Sequence, residues 1–158
     1  MSPRNDMLPW VSLQHTAFFL RHELDARLRE SVGVSFMERD LLAHLARSDD
    51  DWKMKDFAVA LCVSKTAVTK LVDRLEAGGL VERVPSPADR RVTHVRLTNR
   101  GTEVLEESRP VVRSFVRTEF AEVLNADELE TLGKALIKVL VLHSRWEGQK
   151  QYLAGGAG

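Results

Sequence analysis

Residues 63–84 read VSKTAVTKLVDRLEAGGLVERV, a helical pattern that changes directly into a strand pattern. The three- and four-residue steps between apolar side chains predict an amphipathic helix over 65–78 that buries Val68, Leu71, Val72 and Leu75. Ser64 is a favourable N-cap for this helix, and Gly78-Gly79 ends it. After the glycines, alternating and β-branched residues over 80–84 predict a strand.

A second short helix is predicted immediately before this one, over 53–61, with Phe57, Ala58 and Leu61 apolar. The linker Leu61-Cys62-Val63 is so short that the two helices must cross steeply, as in a helix-turn-helix. Because Cys62 is flanked by apolar neighbours, we expect it to be a small buried residue rather than a redox switch, which needs an exposed, activated thiolate.

A β-hairpin is predicted on the other side of the glycines. Residues 92–97 read VTHVRL and predict a second strand, while residues 85–91 read PSPADRR and predict a charged turn. The pair forms a β-wing beside the helix-turn-helix.

Three further helices are predicted around this unit. One runs from about 8 to 30, and one from 36 to 47 begins at the capping box formed by Ser35 and Glu38. Thr98 or Asn99 caps a helix over 99–124, which Pro110 should kink.

The last helix, over 126–147, is capped by Asn125 with Glu128. Its segment 136–142 is apolar nearly all round, and one domain of this size has too few other helices to cover it. A partner chain is therefore expected.

Composition limits the class of protein. The chain has 158 residues, which suggests a single domain, and one Cys, which excludes an intramolecular disulfide and favours a cytoplasmic setting. No apolar run is long enough to span a membrane. The 23 basic and 23 acidic residues cancel, but residues 53–101 carry ten basic and five acidic side chains, a charge of +5 in an acidic frame. A local phosphate-binding surface would look like this, although scattered solvated charges would too.

No motif supports catalysis. The sequence lacks a Gly-rich phosphate loop, G-x-S-x-G, H-E-x-x-H and C-x-x-C, so an enzyme is the lowest-ranked hypothesis. His15 and His22 could share a helix face, but two ligands are too few for a metal site. We expect no cofactor and no metal.

The helix over 65–78 and the wing carry the candidate DNA contacts. On the helix, hydroxyl and basic side chains suited to phosphates and base edges are Ser64, Lys65, Thr66, Thr69, Lys70 and Arg74. At the wing tip, Arg90 and Arg91 could enter a narrow minor groove, with Asp89 holding one guanidinium. The alternatives are an ordinary solvated helix face and an Asp89–Arg91 pair that only clips the turn.

The sequence 63–81, followed by Ser86-Pro87-Ala88-Asp89-Arg90-Arg91 and Leu97-Thr98-Asn99-Arg100-Gly101, resembles the MarR family of winged helix-turn-helix transcription regulators. The resemblance implies a mainly α fold with a small β-wing in a single domain, 1–158. Dimerisation helices would lie in 1–34 and 102–148, the DNA-binding lobe in 35–101 and a flexible tail in 149–158.

The resemblance also implies a homodimer on a pseudo-palindromic double-stranded operator. The 65–78 helices would enter successive major grooves, with Arg91 in the flanking minor groove. Many members respond to a small, often anionic aromatic ligand, and the side chains that could line such a pocket are Trp10, His15, Phe19, His44 and Arg113.

The chain departs from the family pattern at Cys62, where glycine is usual; a side chain in a left-handed turn costs roughly 1 kcal/mol. It also lacks the first-helix cysteine of the peroxide-sensing branch and the ligand cluster of the zinc-sensing branch. The leading hypothesis is a dimeric, sequence-specific DNA-binding regulator, a repressor or an activator, of which we favour the repressor. The alternative is a winged-helix module that binds a partner protein.

Overall fold

The computed structural model describes residues 6–47, 52–86 and 93–143. Within these ranges the chain is mainly helical, with a small antiparallel sheet. The helices are α1 (Met7–Val32), α2 (Phe36–Arg47), α3 (Met54–Ala60), α4 (Lys65–Ala77), α5 (Asn99–Val116), a π-helix (Arg117–Ala121) and α6 (Ala126–His143). The strands are β1 (Trp52–Lys53), β2 (Val81–Pro85) and β3 (Thr93–Leu97). The predicted fold class is confirmed, whereas the predicted tail 149–158 lies outside the described residues.

The predicted capping residues begin the helices. Ser64 accepts a hydrogen bond from the backbone N–H of Ala67 at the start of α4, at 3.2 Å. Ser35 and Glu38 form the reciprocal capping box of α2, with the Ser35 N–H donating to the Glu38 carboxylate at 2.7 Å and the Glu38 N–H donating to the Ser35 hydroxyl at 3.2 Å. Asn125 and Glu128 do the same at the start of α6.

The turn between α3 and α4 contains Cys62 at φ 53°, the only positive φ of a non-glycine residue in the described part of the chain. The side chain therefore does occupy a left-handed position, as the departure from glycine indicated. The expectation that Cys62 is buried is wrong: its side chain is exposed. A residue at the outer corner of such a tight turn points away from the two helices even when its chain neighbours are apolar.

The sheet has three strands in the order β1-β3-β2, one more than predicted. Val81 pairs with Leu97 and Arg83 with Val95, which forms the wing, while Trp52 pairs with Val95 on the other side of β3. The helix predicted over roughly 53–61 is confirmed as α3, Met54–Ala60, but strand β1 before it is not predicted. A two-residue strand is too short to show an alternating pattern and is formed only by its partner strand.

The core lies where α2, α3, α4 and the sheet meet. Fully buried side chains from these elements include Leu41, Phe57, Val68, Val72 and Val95. The four apolar side chains predicted for α4 are all buried. This helix therefore has one face fixed in the core and one face left for solvent or a partner.

The Leu-Thr-x-x-Gly motif joins the wing to α5. Thr98 caps α5 by accepting from the Gly101 N–H at 3.0 Å, and its hydroxyl donates to the Gly79 carbonyl at 2.6 Å. Gly101 packs directly on the Leu80 carbonyl, since a Cβ built there would lie 2.0 Å from that oxygen. The motif thus fixes the start of α5 against the end of α4.

The outer helices pack less completely. A small cluster of Leu24, Leu28 and Phe115 joins α1 to α5, while α6 has no buried residue among those described. Large apolar side chains are exposed on the first half of α1 and on α6: Met7, Leu8, Trp10, Val11, Leu13, Phe18, Phe19, Leu129, Ile137, Val139, Val141 and Leu142. Helix α5 includes Pro110, and the π-helix follows directly after it.

Candidate nucleic-acid interface

The exposed face of α4 carries the predicted helix contacts. Five of them lie in the N-terminal part of the helix and are exposed: Ser64, Lys65, Thr66, Thr69 and Lys70. The Thr69 hydroxyl donates to the Lys65 carbonyl at 3.1 Å, which fixes its rotamer. A helix end with short hydroxyls and two lysines, held on its other face by the core, suits insertion into a major groove.

The sixth predicted contact, Arg74, is paired within the protein. Its Nε lies 3.2 Å from Oε1 of Glu38 on α2. The Glu38 side chain is only 13% exposed, whereas that of Arg74 is 65% exposed. The sequence pattern predicts only the capping-box role of Glu38, because nothing in the spacing indicates that α4 packs close to the start of α2.

The opposite margin of α4 is joined to the wing by Arg83 on β2. Its guanidinium donates to Asp73 at 2.5 Å and also to Glu76, and its backbone N–H donates to the second Glu76 oxygen at 3.2 Å. Burial lowers the pKa of Arg83, but the hydrogen bonds to the two carboxylates outweigh it and raise the pKa above its ordinary value. Both carboxylates of α4 are therefore paired with one arginine that the sequence pattern does not predict, and it compensates one of their two charges.

The predicted wing-tip residues Asp89, Arg90 and Arg91 lie outside the described residues. The described strands bring the chain out on one side of the wing at Pro85 and back on the other at Thr93, which are paired in register.

A groove of about 610 Å³ lies between α1 and the start of α2. Its lining residues are Leu13, Gln14, Ala17, Phe18, Arg21, His22, Asp25, Phe36 and Met37. The Arg21 guanidinium carbon lies 5.3 Å from the centre of the Phe36 ring, and the Phe18 and His22 rings stack with centroids 6.4 Å apart. The groove therefore combines aromatic surfaces with basic side chains.

None of the five residues predicted to line a pocket is among the lining residues of this groove. Trp10, His15 and Phe19 are exposed elsewhere on α1, and Arg113 is exposed on α5. His44 is buried in α2, with Nδ1 2.8 Å from the Asp40 carbonyl oxygen. The structure does not bring the five side chains together within one chain.

Asp25 connects the groove to the start of α2. Its carboxylate accepts from Nε of Arg29 at 2.6 Å and from the backbone N–H of Phe36 at 2.7 Å. Partial burial raises the pKa of Asp25, but these two hydrogen bonds and the Arg29 charge outweigh burial, so the pKa lies below its ordinary value of 3.8. The Asp25 carboxylate thus lies in the groove wall and also accepts a hydrogen bond from the N-terminus of α2.

The described ranges contain neither a metal-binding cluster nor a membrane-spanning helix. Within them, His, Cys, Asp and Glu side chains form no group of three or more that could hold a metal ion. None of the helices in those ranges is both long enough and apolar enough to cross a membrane.

A helix-turn-helix followed by an antiparallel wing defines a winged helix-turn-helix protein. The model of the MarR family matches residues 32–92. The chain is 32% identical over 139 residues to the transcriptional repressor MprA of Escherichia coli K12, which covers 87% of the chain and 68% of that protein. The chain therefore belongs to the MarR family.

Two other relatives agree with this assignment. The multiple antibiotic resistance protein MarR of Escherichia coli K12 is 40% identical over 80 residues, which cover 51% of the chain and 56% of that protein. The aligned part thus spans just over half the length of that relative. The crystal structure of Sco3205, a MarR family transcriptional regulator from Streptomyces coelicolor in complex with DNA, has a TM-score of 0.79 and 27% identity, covering 92% of the chain and 96% of Sco3205.

Proposed function

We propose that the chain is a sequence-specific, double-stranded DNA-binding transcriptional repressor. The observation that carries the proposal is the exposed N-terminal part of α4, where hydroxyl and lysine side chains stand on a helix whose other face is fixed in the core. The complex of Sco3205 with DNA supports it, since that protein shares the fold over nearly the whole chain. The two carboxylates of α4 are paired with Arg83, which compensates one of their two negative charges.

The proposed active form is a homodimer on a pseudo-palindromic operator. Large apolar side chains on α1 and α6 are exposed in the single chain, and a second chain would cover them. Dimerisation segments 1–34 and 102–148 would then flank a DNA-binding lobe at 35–101. Two-fold symmetry would set the two α4 helices about 34 Å apart, one turn of DNA.

Each half of the dimer would contact DNA at two places. Residues Ser64, Lys65, Thr66, Thr69 and Lys70 would enter the major groove. At the wing tip, Arg90 and Arg91 would reach the flanking minor groove, where arginine is favoured by the negative potential, and Asp89 would hold one guanidinium in place.

A small anionic aromatic ligand is the proposed effector, bound in the groove between α1 and α2. Phe18 and Phe36 offer aromatic surfaces there, and Arg21 and His22 offer positive or proton-donating groups. Such a ligand would relieve repression only if it binds one arrangement of α1 and the DNA-binding lobe better than the other.

The test is selection of duplexes from a random pool by the purified protein, followed by binding of the selected duplex across salt concentrations. We expect an inverted repeat and a steep fall in affinity with salt, because each neutralised phosphate releases a counterion. Lys70→Ala should weaken binding. Lys134→Ala is the control, because Lys134 is an exposed lysine of α6 that pairs with Glu130, and this variant should bind DNA like the parent. Absence of any selected duplex, with the dimer intact by light scattering, would contradict the proposal and favour a module that binds a partner protein.

A further inference from the structure

The pairing of Arg74 with Glu38 affects how the DNA-binding surface uses its charge. Arg74 lies four residues after Lys70 and eight after Thr66, so the three side chains follow one another along the same side of α4. The Arg74 side chain is 65% exposed and within reach of a partner that contacts this side. Its charge, however, is compensated by the Glu38 carboxylate 3.2 Å away.

Glu38 is well placed to keep this pairing. One carboxylate oxygen accepts from the Ser35 N–H at 2.7 Å, and the other faces Arg74. The capping box therefore fixes the position of the carboxylate independently of Arg74. Because the Glu38 side chain is mostly buried, moving Arg74 away would remove the cation that lies 3.2 Å from a poorly hydrated carboxylate. This is unfavourable, although Arg29 also interacts electrostatically with Glu38.

We propose that Glu38 is a specificity-determining residue of the DNA-binding surface, which keeps the Arg74 guanidinium from neutralising DNA phosphates. The inference rests on the DNA-binding function proposed above. A cation that is already paired displaces few counterions when the protein meets DNA, so it adds little to sequence-independent affinity. Non-specific binding comes almost entirely from such phosphate contacts, and restraining one of them increases the ratio of specific to non-specific affinity.

Glu38→Gln tests this with little change to the fold. Glutamine also completes a capping box with Ser35, but it has no charge to hold Arg74. On a scrambled duplex we expect the slope of log affinity against log salt to become steeper by about 0.9, which is one additional phosphate neutralised, and affinity at 0.15 M salt to rise about fivefold. Affinity for the selected duplex should rise less, because base contacts fix the helix and a freed Arg74 cannot shift to find a phosphate.

Two controls separate this role from a structural one. Glu106→Gln removes the same charge from an ion pair of similar length, 3.1 Å to Arg109 on α5, and should leave both slopes unchanged. In an Arg74→Ala background, Glu38→Gln should no longer alter the slope, since the effect acts through Arg74.

The possible outcomes distinguish a failure of the role proposed for Glu38 from a failure of the proposed DNA-binding function. A parent protein that binds the selected duplex with a steep salt slope, together with an unchanged slope in Glu38→Gln, overturns the role of Glu38 and leaves the proposed function standing. If Glu38→Gln still changes the slope in the Arg74→Ala background, the role of Glu38 is overturned as well. A parent protein that binds neither duplex overturns the proposed function and this inference together.

Discussion

Gly101→Ala should destabilise the chain strongly, although it adds only one methyl group near the start of a helix. Alanine is the better helix former, so propensity alone predicts a gain of about 1 kcal/mol. The added Cβ, however, would lie 2.0 Å from the Leu80 carbonyl oxygen and 3.1 Å from Cδ2 of Leu97. A carbon and an oxygen in contact lie about 3.3 Å apart, so one backbone segment has to move by more than 1 Å.

The neighbouring hydrogen bonds determine the cost of that movement. The Leu80 carbonyl accepts from the Thr98 N–H at 3.1 Å, the Leu80 N–H donates to Leu75 at 2.9 Å, and the Thr98 hydroxyl holds Gly79 at 2.6 Å. Weakening two such bonds costs about 1 kcal/mol each, and overpacking adds 1–3 kcal/mol. We expect a net loss of about 3 kcal/mol in the free energy of unfolding, or roughly 6–12 °C in Tm for a chain of this size.

The assay is urea and thermal unfolding followed by circular dichroism at one fixed protein concentration. Gly133→Ala on α6 is the matched control, since a Cβ there has no neighbour within 4 Å in this chain. Within one chain it should leave stability unchanged or raise it by up to about 1 kcal/mol, and a loss would come from the second chain that the proposed dimer places on the 102–148 segment. A loss below 1 kcal/mol in Gly101→Ala would refute the argument from close approach. A loss in Gly133→Ala would indicate that a second chain packs on α6.

Two further predictions follow from the ion pairs. Asp25→Asn should cost about 1 kcal/mol at neutral pH by weakening the bonds to Arg29 and the Phe36 N–H. Because the pKa of Asp25 is lowered in the folded state, its contribution to stability is present above the ordinary value of 3.8 and is lost as pH falls through the folded pKa. The unfolding curves of parent and variant should therefore converge below pH 3.8. A difference in stability that stays constant with pH would contradict this. Arg83→Met should leave the Asp73 and Glu76 carboxylates on α4 without their arginine, which should reduce stability by about 1 kcal/mol and weaken duplex binding. If titration showed an unchanged affinity for the duplex, these carboxylates would lie away from DNA.

The parts of the fold that the sequence predicts well are those with local causes. The caps at Ser35, Ser64, Thr98 and Asn125 are side-chain signatures a few residues long, and the structure has each of them where it was expected. The face of α4 follows from a 3.6-residue period. Strand β1 has no such signature, since its two residues become a strand only by pairing with β3.

As with the fold, the sequence predicts those features of the candidate site that have a local cause. The residue types on the exposed face of α4 follow from the helix itself, but the partners of those residues come from elsewhere in the chain. Glu38 is 36 positions before Arg74, and Arg83 joins α4 from a strand. Only the packed structure brings them together. The groove shows the same limit, because its shape depends on where α2 crosses α1, and no sequence pattern indicates that crossing.

The N-terminus of α2 connects the two parts of the proposed function. On one side, Asp25 of the groove wall holds the Phe36 N–H; on the other, Glu38 faces Arg74 of α4. Only the capping box of Ser35 lies between them, so a movement of Phe36 by a bound ligand would move the carboxylate that restrains Arg74. A ligand alters DNA binding only by favouring one position of this helix end over another. Effector binding in the groove should therefore change the salt dependence of DNA binding through the same Arg74 charge.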